Sequence, residues 1–338
     1  MNITIAERLR PFSLTPGVSC ILPGSSLVVQ VFPTRIILKD VYGNELDRLE
    51  VNVNGPVKDF TVQQDLEKGC VKVWGRAVNG YMRYFMAVSE GKVIVDVEKN
   101  PVDKLLQGNF SYFVEGRLPK TKIPIERLSL GNHKKQDWDI VMRRGDIIEI
   151  LPAWFRLGSM ACGAEGSGGA LLDRCRDLVS NKGKEELVDA FHNLFCACFD
   201  GILTPQYHDM KHQGLMSGDI ENPSVLLSGG ARIIKSMFIQ QHDNELLMLP
   251  VLPSDLHCGR FIRVSCGKLG RVDFEWTKKL MRRMTFYSDY TGELRFSFQR
   301  SLKNYRFRQG KRCEPSVTCG ETVNVEAGKV YYFDNFKK

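Results

Sequence analysis

Apolar residues in the first third of the chain alternate with polar ones at a period of two. Short β-branched runs at 27–32 (LVVQVF), 49–53 (LEVNV), 71–74 (VKVW) and 93–97 (VIVDV) are separated by turn residues such as Tyr42-Gly43-Asn44 and Asn54-Gly55-Pro56. Successive side chains of a strand point to opposite faces, so this pattern predicts many short, half-buried strands, a β-sandwich over residues 1–125. The stretch 116–124 (GRLPKTKIP) reads as a linker.

The period then changes. Residues 136–158 are predicted mostly helical until Pro152, which lacks an amide proton. Helices are also expected over 170–180 and 185–200. In the second of these, Leu187, Val188, Phe191, Leu194, Phe195, Cys198 and Phe199 fall on one helical face. A third is expected over roughly 229–241, with Ile233, Ile234, Met237 and Phe238 inward. From about residue 256 the period of two returns. Val272, Phe274 and Trp276 alternate with Asp273 and Glu275, and Leu294, Phe296 and Phe298 alternate with Arg295, Ser297 and Gln299. Between helix and sheet lies LLMLPVLP (246–253), where Pro250 and Pro253 bar a regular helix. An extended apolar strip there wedges between two layers, each large side chain contributing about 1.5–3 kcal/mol on burial. The predicted fold is multidomain α+β: an N-terminal β-sandwich (1–125), a short helical middle with the apolar junction (126–255) and a C-terminal β-sandwich (256–338).

Length and composition agree. A chain of 338 residues exceeds one ordinary core, and 43% hydrophobic residues supply ample apolar material. No run approaches the ~18 apolar residues of a membrane span. The N-terminus, MNITIAERLRPF, lacks the basic start and apolar centre of a secretory signal, so a cytoplasmic location is expected. The ten cysteines include no CxxC pair and read as reduced thiols; Cys196 and Cys198 sit in an apolar helical stretch with no further ligands at zinc-site spacing. The net charge of +8 is uneven, with fifteen Lys and Arg between Arg260 and Arg312 against four acidic residues. That face suits an anionic partner. Aromatics interleave with it, as in Tyr305-Arg306-Phe307-Arg308, but a half-exposed strand produces the same alternation, so specific nucleic-acid binding is not expected. No cofactor is expected.

Several stretches carry residues able to do chemistry. Asp219 and Glu221, in a glycine- and proline-bounded loop, form a pair of carboxylates of the kind that handles protons in glycoside hydrolysis. His208 and His212 stand four apart, a spacing that chelates a metal on a helix, although no third ligand accompanies them and no metal site is expected. The glycine-rich stretch 163–169 precedes a helix and contains Glu165, a further candidate carboxylate, but it lacks the Lys of a phosphate-binding loop. Trp138, Trp154 and Arg156 cluster around the first helix, where rings can stack on sugar faces and a guanidinium can bind hydroxyls; buried packing is the alternative.

The order of sandwich, helices, LLMLPVLP and second sandwich resembles the six-hairpin glycosidases, in particular glycoside hydrolase family 95 of the α-L-fucosidase type. The stretch from Gly229-Gly230-Ala231 through Met237 to Pro253, followed by Leu269–Trp276 (LGRVDFEW), carries the resemblance. Weaker likeness extends to Gly320-Glu321-Thr322 and Ala327–Tyr331, and to Met82–Ser89 with Lys92–Val95. The resemblance implies a toroid of about twelve helices, but the segment from Gln136 to Pro250 holds only a reduced one at the ordinary helix length. The family's general base would fall at Val225, which cannot accept a proton, with Leu226-Leu227 after it. The expectation is a non-catalytic derivative, a carbohydrate-binding or interaction scaffold. The alternatives are a divergent glycoside hydrolase using Asp219, Glu221 or Glu165, and a basic adaptor whose 260–312 face meets an anionic polymer or protein.

Overall fold

The computed structural model describes residues 2–108, 111–118, 126–132, 134–161, 164–310, 312–313 and 316–338. Most of the predicted linker, together with Cys162 and Gly163, lies outside them. The fold is β-rich α+β with several sheets and five helices among the described residues.

The N-terminal region forms two sheets. Six strands pair in the order Phe12–Ser13, Lys58–Asp65, Cys70–Ala77, Gly80–Ser89, Lys92–Lys99 and Phe113–Glu115. Five more pair in the order Leu106–Gln107, Glu45–Val51, Arg35–Lys39, Val28–Phe32 and Val18–Ile21. The alternation read from sequence sets the faces: Val71, Val73, Tyr84 and Met86 are buried cross-strand neighbours, while Lys72 and Trp74 between them are partly exposed.

Five helices follow: α1 (Trp138–Arg144), α2 (Ile147–Gly158), α3 (Gly169–Ser180), α4 (Leu187–Cys198) and α5 (Ser224–Phe238). Asp137 and Asp146 cap the first two, their carboxylates accepting from the amides of Ile140 and Ile148. Contrary to expectation, α2 runs through Pro152 to Gly158. Proline forfeits a single helical hydrogen bond there, and its ring is buried with the helix's apolar face. The α2 and α5 backbones cross closely at glycines. A Cβ on Gly158 would lie 2.1 Å from the Leu227 carbonyl oxygen, and one on Gly230 would lie 2.6 Å from the Trp154 ring.

The second β region starts earlier than residue 256. Arg127–Ser129 forms an edge of an eight-stranded sheet and pairs with Gly259–Ser265; then come Gly270–Thr277, Leu280–Ser288, Val330–Lys337 and Asn304–Gln309. The predicted third helix begins earlier and ends at Phe238, and Ile239–His242 forms a hairpin with Glu245–Met248. Asp243 accepts the left-handed conformation of that turn, φ 49°, which a short polar side chain tolerates. The hairpin belongs to a four-stranded sheet with Gly292–Ser297 and Thr322–Val325. LLMLPVLP is thus part strand and part cap: the amides of Leu249 and Val251 donate to the carbonyls of Phe238 and Met237, satisfying the end of α5. Phe296 of the smaller sheet packs on Phe286 and Phe333 of the larger one, at 5.3 and 4.7 Å between ring centroids. Phe261 meets Phe155 of α2 and Phe238 of α5 on the same side, so helices and sheets share one continuous core.

The first dozen residues strap the two β regions together. The Thr4 carbonyl accepts from Arg260 (3.0 Å) and the Ile5 carbonyl from Arg127 (3.3 Å), both on the eight-stranded sheet. Leu9 and Pro11 carbonyls accept from the amides of Leu66 and Gln64 at the N-terminal sheet.

Candidate functional site

The strand Gly270–Thr277 sits inside the eight-stranded sheet, with Val272, Phe274 and Trp276 wholly buried against the core. Arg271, Asp273 and Glu275 therefore occupy the outer face. Their partners on Leu280–Ser288 are Tyr287, Thr285 and Arg283. Thr285 in turn faces Tyr332, Tyr332 faces Arg308, and Arg306 faces Asp334. One sheet face thus collects arginines, tyrosines and carboxylates from four strands.

Two clefts lie on it. The larger, about 720 Å³, opens between the strap at Asn2–Ile5 and the sheet, and Glu126, Arg263, Arg271, Asp273 and Tyr287 line it. A bulge between Phe261 and Val264 holds Arg263 at φ 59°, and its amide donates to Asp273 Oδ1 at 2.6 Å. The Tyr287 hydroxyl donates to Asp273 Oδ2 at 3.3 Å, and the Arg271 guanidinium lies 4.5 Å from the centroid of the Tyr287 ring. Burial, followed by the charge of Asp273, raises the Tyr287 pKa, so the phenol stays a donor at neutral pH. Glu126 accepts from Lys235 and from the Ser265 amide, both at 2.8 Å. The arrangement offers a partly exposed ring together with donors and acceptors of fixed direction, the equipment for holding a hydroxyl-rich molecule.

The second cleft, about 320 Å³, includes Ser129, Cys258, Arg260, Arg282 and Arg283 around the nearly buried Glu275. Arg283 grips Glu275 with two nitrogens, Nε at 2.5 Å from Oε1 and Nη2 at 2.9 Å from Oε2. Arg260 and Arg282 approach the same carboxylate only to 3.4 and 3.9 Å. Asp273 and Glu275 are two residues apart on one strand, about 7 Å, so the two clefts adjoin.

The residues singled out by motif lie elsewhere. Trp138 and Trp154 are core side chains, 1% and 0% exposed. Trp154 packs edge-on against Phe191 and Phe199 and donates from Nε1 to the Leu226 carbonyl at 3.0 Å. Arg156 is 3% exposed and donates to the Leu66 carbonyl, tying α2 to the N-terminal sheet. None of the three offers a surface for a sugar to stack on. Asp219, Glu221 and Glu165 are exposed. Glu221 clamps two loops, its carboxylate accepting from the Ser167 amide (3.0 Å) and its own amide donating to the Ser167 carbonyl (3.1 Å). His208 and His212 lie on no helix. The Asp209 carboxylate accepts from the amides of Lys211, Gln213 and Leu215 and so folds the segment into turns. No group of three or more metal-ligating side chains occurs among the described residues. Eight of the cysteines, Cys20 among them, are free, and burial pushes the Cys20 thiol up to about 12.

Asp273 and Glu275 enter the sequence reading only as polar positions of the strand LGRVDFEW, and Tyr287 not at all. Their one signal was a strand interior to a sheet whose outward positions are all charged (Arg271, Asp273, Glu275), where plain solubility demands less. Glu126 reaches the cleft from the edge of the predicted linker.

No protein-family model matches the chain, and no curated protein matches it either. No helix among the described residues is long and apolar enough to cross a membrane.

Proposed function

We propose that the chain is a non-catalytic carbohydrate-binding protein, a derivative of the six-hairpin glycosidases with two β-sandwiches and a reduced helical toroid. The observation that carries the binding reading is the cleft of about 720 Å³ on the outer face of the eight-stranded sheet, with Tyr287, Arg271 and the nearly buried Asp273 inside it. A sugar ring presents one apolar C–H face and a rim of hydroxyls. Tyr287 supplies an aromatic surface, and Asp273, Arg263 and Glu126 supply polar partners for the rim. Val225 supports the loss of hydrolysis: it lies in the first turn of α5, 3% exposed, with Leu226 and Leu227 buried beside it. The exposed loop carboxylates Asp219, Glu221 and Glu165 are the residues of the hydrolase alternative.

The test is titration calorimetry against a panel of neutral and acidic oligosaccharides, with Tyr287→Ala and Asp273→Asn as probes. Saturable binding that both substitutions weaken by about tenfold supports the reading. Binding insensitive to both moves the site elsewhere. Turnover of aryl fucosides or glucosides that Glu221→Gln abolishes favours the hydrolase alternative.

A further inference from the structure

We propose that the cleft around Glu275 is an anion subsite and that the carbohydrate held on this face is an acidic polysaccharide, its carboxylate or sulfate groups seated on Arg260 and Arg282. The inference rests on the carbohydrate-binding reading and specifies the ligand class. Arg283 already neutralises Glu275 in a two-pronged ion pair. Arg260 and Arg282, with side chains 49% and 67% exposed, therefore bring surplus positive charge to the same small cleft. They stop beyond a good hydrogen bond to Glu275, so Arg282 and the Arg260 nitrogens not bonded to Thr4 can turn to an anion. Arg260 is placed by its bond to the Thr4 carbonyl, and planar guanidinium groups grip a carboxylate or sulfate with paired bonds.

The mixture of charges selects the polymer. Nucleic acid carries a phosphate at every step, and such a strand crossing this face would also meet Asp273, Glu126 and Asp289 in the neighbouring cleft. A glycan alternates charge with hydroxyls, which those carboxylates can accept hydrogen bonds from. A chain laid along Gly270–Thr277 presents hydroxyls to Asp273 and Tyr287 and an acidic group, about 7 Å onward, to the arginines around Glu275.

The experiment compares four probes on the full chain by titration calorimetry: an oligogalacturonide as the free acid, the same oligomer fully methyl-esterified, a sulfated heparin oligosaccharide and a single-stranded oligonucleotide. The free acid or the heparin fragment should bind at least about tenfold tighter than the ester. Arg282→Ala and Arg260→Gln should each remove most of that advantage and flatten its salt dependence, and Arg282→Ala, which leaves the bond from Arg260 to the Thr4 strap in place, should leave binding of the ester unchanged. Which of the two acids binds tighter identifies carboxylate or sulfate as the preferred group. Circular dichroism melts of both variants that overlay the parent exclude misfolding, and Arg282→Glu, at the most exposed of the three arginines, repeats the test with reversed charge. Binding of both the acid and the heparin fragment no tighter than that of the ester overturns the anion subsite while the carbohydrate reading stands. Absence of any glycan binding overturns both. An oligonucleotide that binds more tightly than every glycan replaces the polysaccharide with nucleic acid.

Discussion

The crossing of α2 and α5 and the outer face of the eight-stranded sheet carry similar residue types with opposite consequences. At the crossing, Trp154 and Gly230 are buried and Trp154 donates to the Leu226 carbonyl, while Arg156, also buried, donates from Nε to the Leu66 carbonyl where α2 meets the N-terminal sheet. On the sheet face, Tyr287, Arg271 and Arg282 hold similar rings and charges at the edge of open clefts. An aromatic beside an arginine is mortar where two backbones approach too closely to leave space. It becomes a binding surface where a sheet's pleat lifts it clear of the core. The difference lies in the third partner, a second helix or solvent, and so in topology.

The contrast predicts effects of different kinds. Trp154→Ala should cost about 3–5 kcal/mol of stability, read as a lower denaturation midpoint, because it empties a site wedged between Phe191, Phe199 and Gly230. A loss below about 1 kcal/mol would mean that the crossing is loosely packed. Val225→Asp, which puts a carboxylate where the resemblance locates a general base, should cost about 3 kcal/mol and yield no hydrolysis, since the new group enters a buried site beside Leu226 and Leu227. Turnover of a glycoside by that variant would show that the catalytic architecture survives behind one substitution. Tyr287→Ala belongs to the other region. It should leave the melting temperature within a few degrees while weakening oligosaccharide binding about tenfold. A large loss of stability with unaltered affinity would make Tyr287 mortar as well.

Much of the fold was legible because period and burial are linked. The alternation at Val272, Phe274 and Trp276 marks their strand, and the 3.6-residue pattern over Leu187–Phe199 marks α4, which the structure places at Leu187–Cys198. Pro152 misled because the local rule ignores how much apolar surface a helix gains by continuing. The 239–248 hairpin was hidden because its first strand, Ile239–His242, is four residues long with a single apolar side chain, and only the Asp243-Asn244 turn marks the break. The candidate site was scarcely legible. Its members come from the strap at Asn2–Ile5, Glu126, a bulge at Arg263 and two strands, and only long-range pairing brings them together. Tryptophans and paired histidines attract attention in a sequence, but burial had claimed Trp138 and Trp154, and the Asp209 hydrogen bonds had unwound the histidine segment.

The smallest effect sharpens the comparison within the sheet face itself. Asp334 is held by Arg306 at 2.6 Å and Arg308 at 2.5 Å, both closer than Arg260 and Arg282 come to Glu275. Burial alone would raise its pKa, but the hydrogen bonds and charges of the two arginines outweigh that and hold it below the ordinary carboxylate value. A carboxyl with a depressed folded-state pKa stabilises the fold above its unfolded pKa and loses that contribution as pH falls through the folded one. Asp334→Asn should therefore cost about 1 kcal/mol near neutral pH. The gap between parent and variant should start to close only below about pH 4, where unfolded aspartates take up protons. Urea midpoints for both proteins at neutral and acidic pH check this. A gap that stays constant into the acid range would mean that Asp334 contributes by packing and not by its charge.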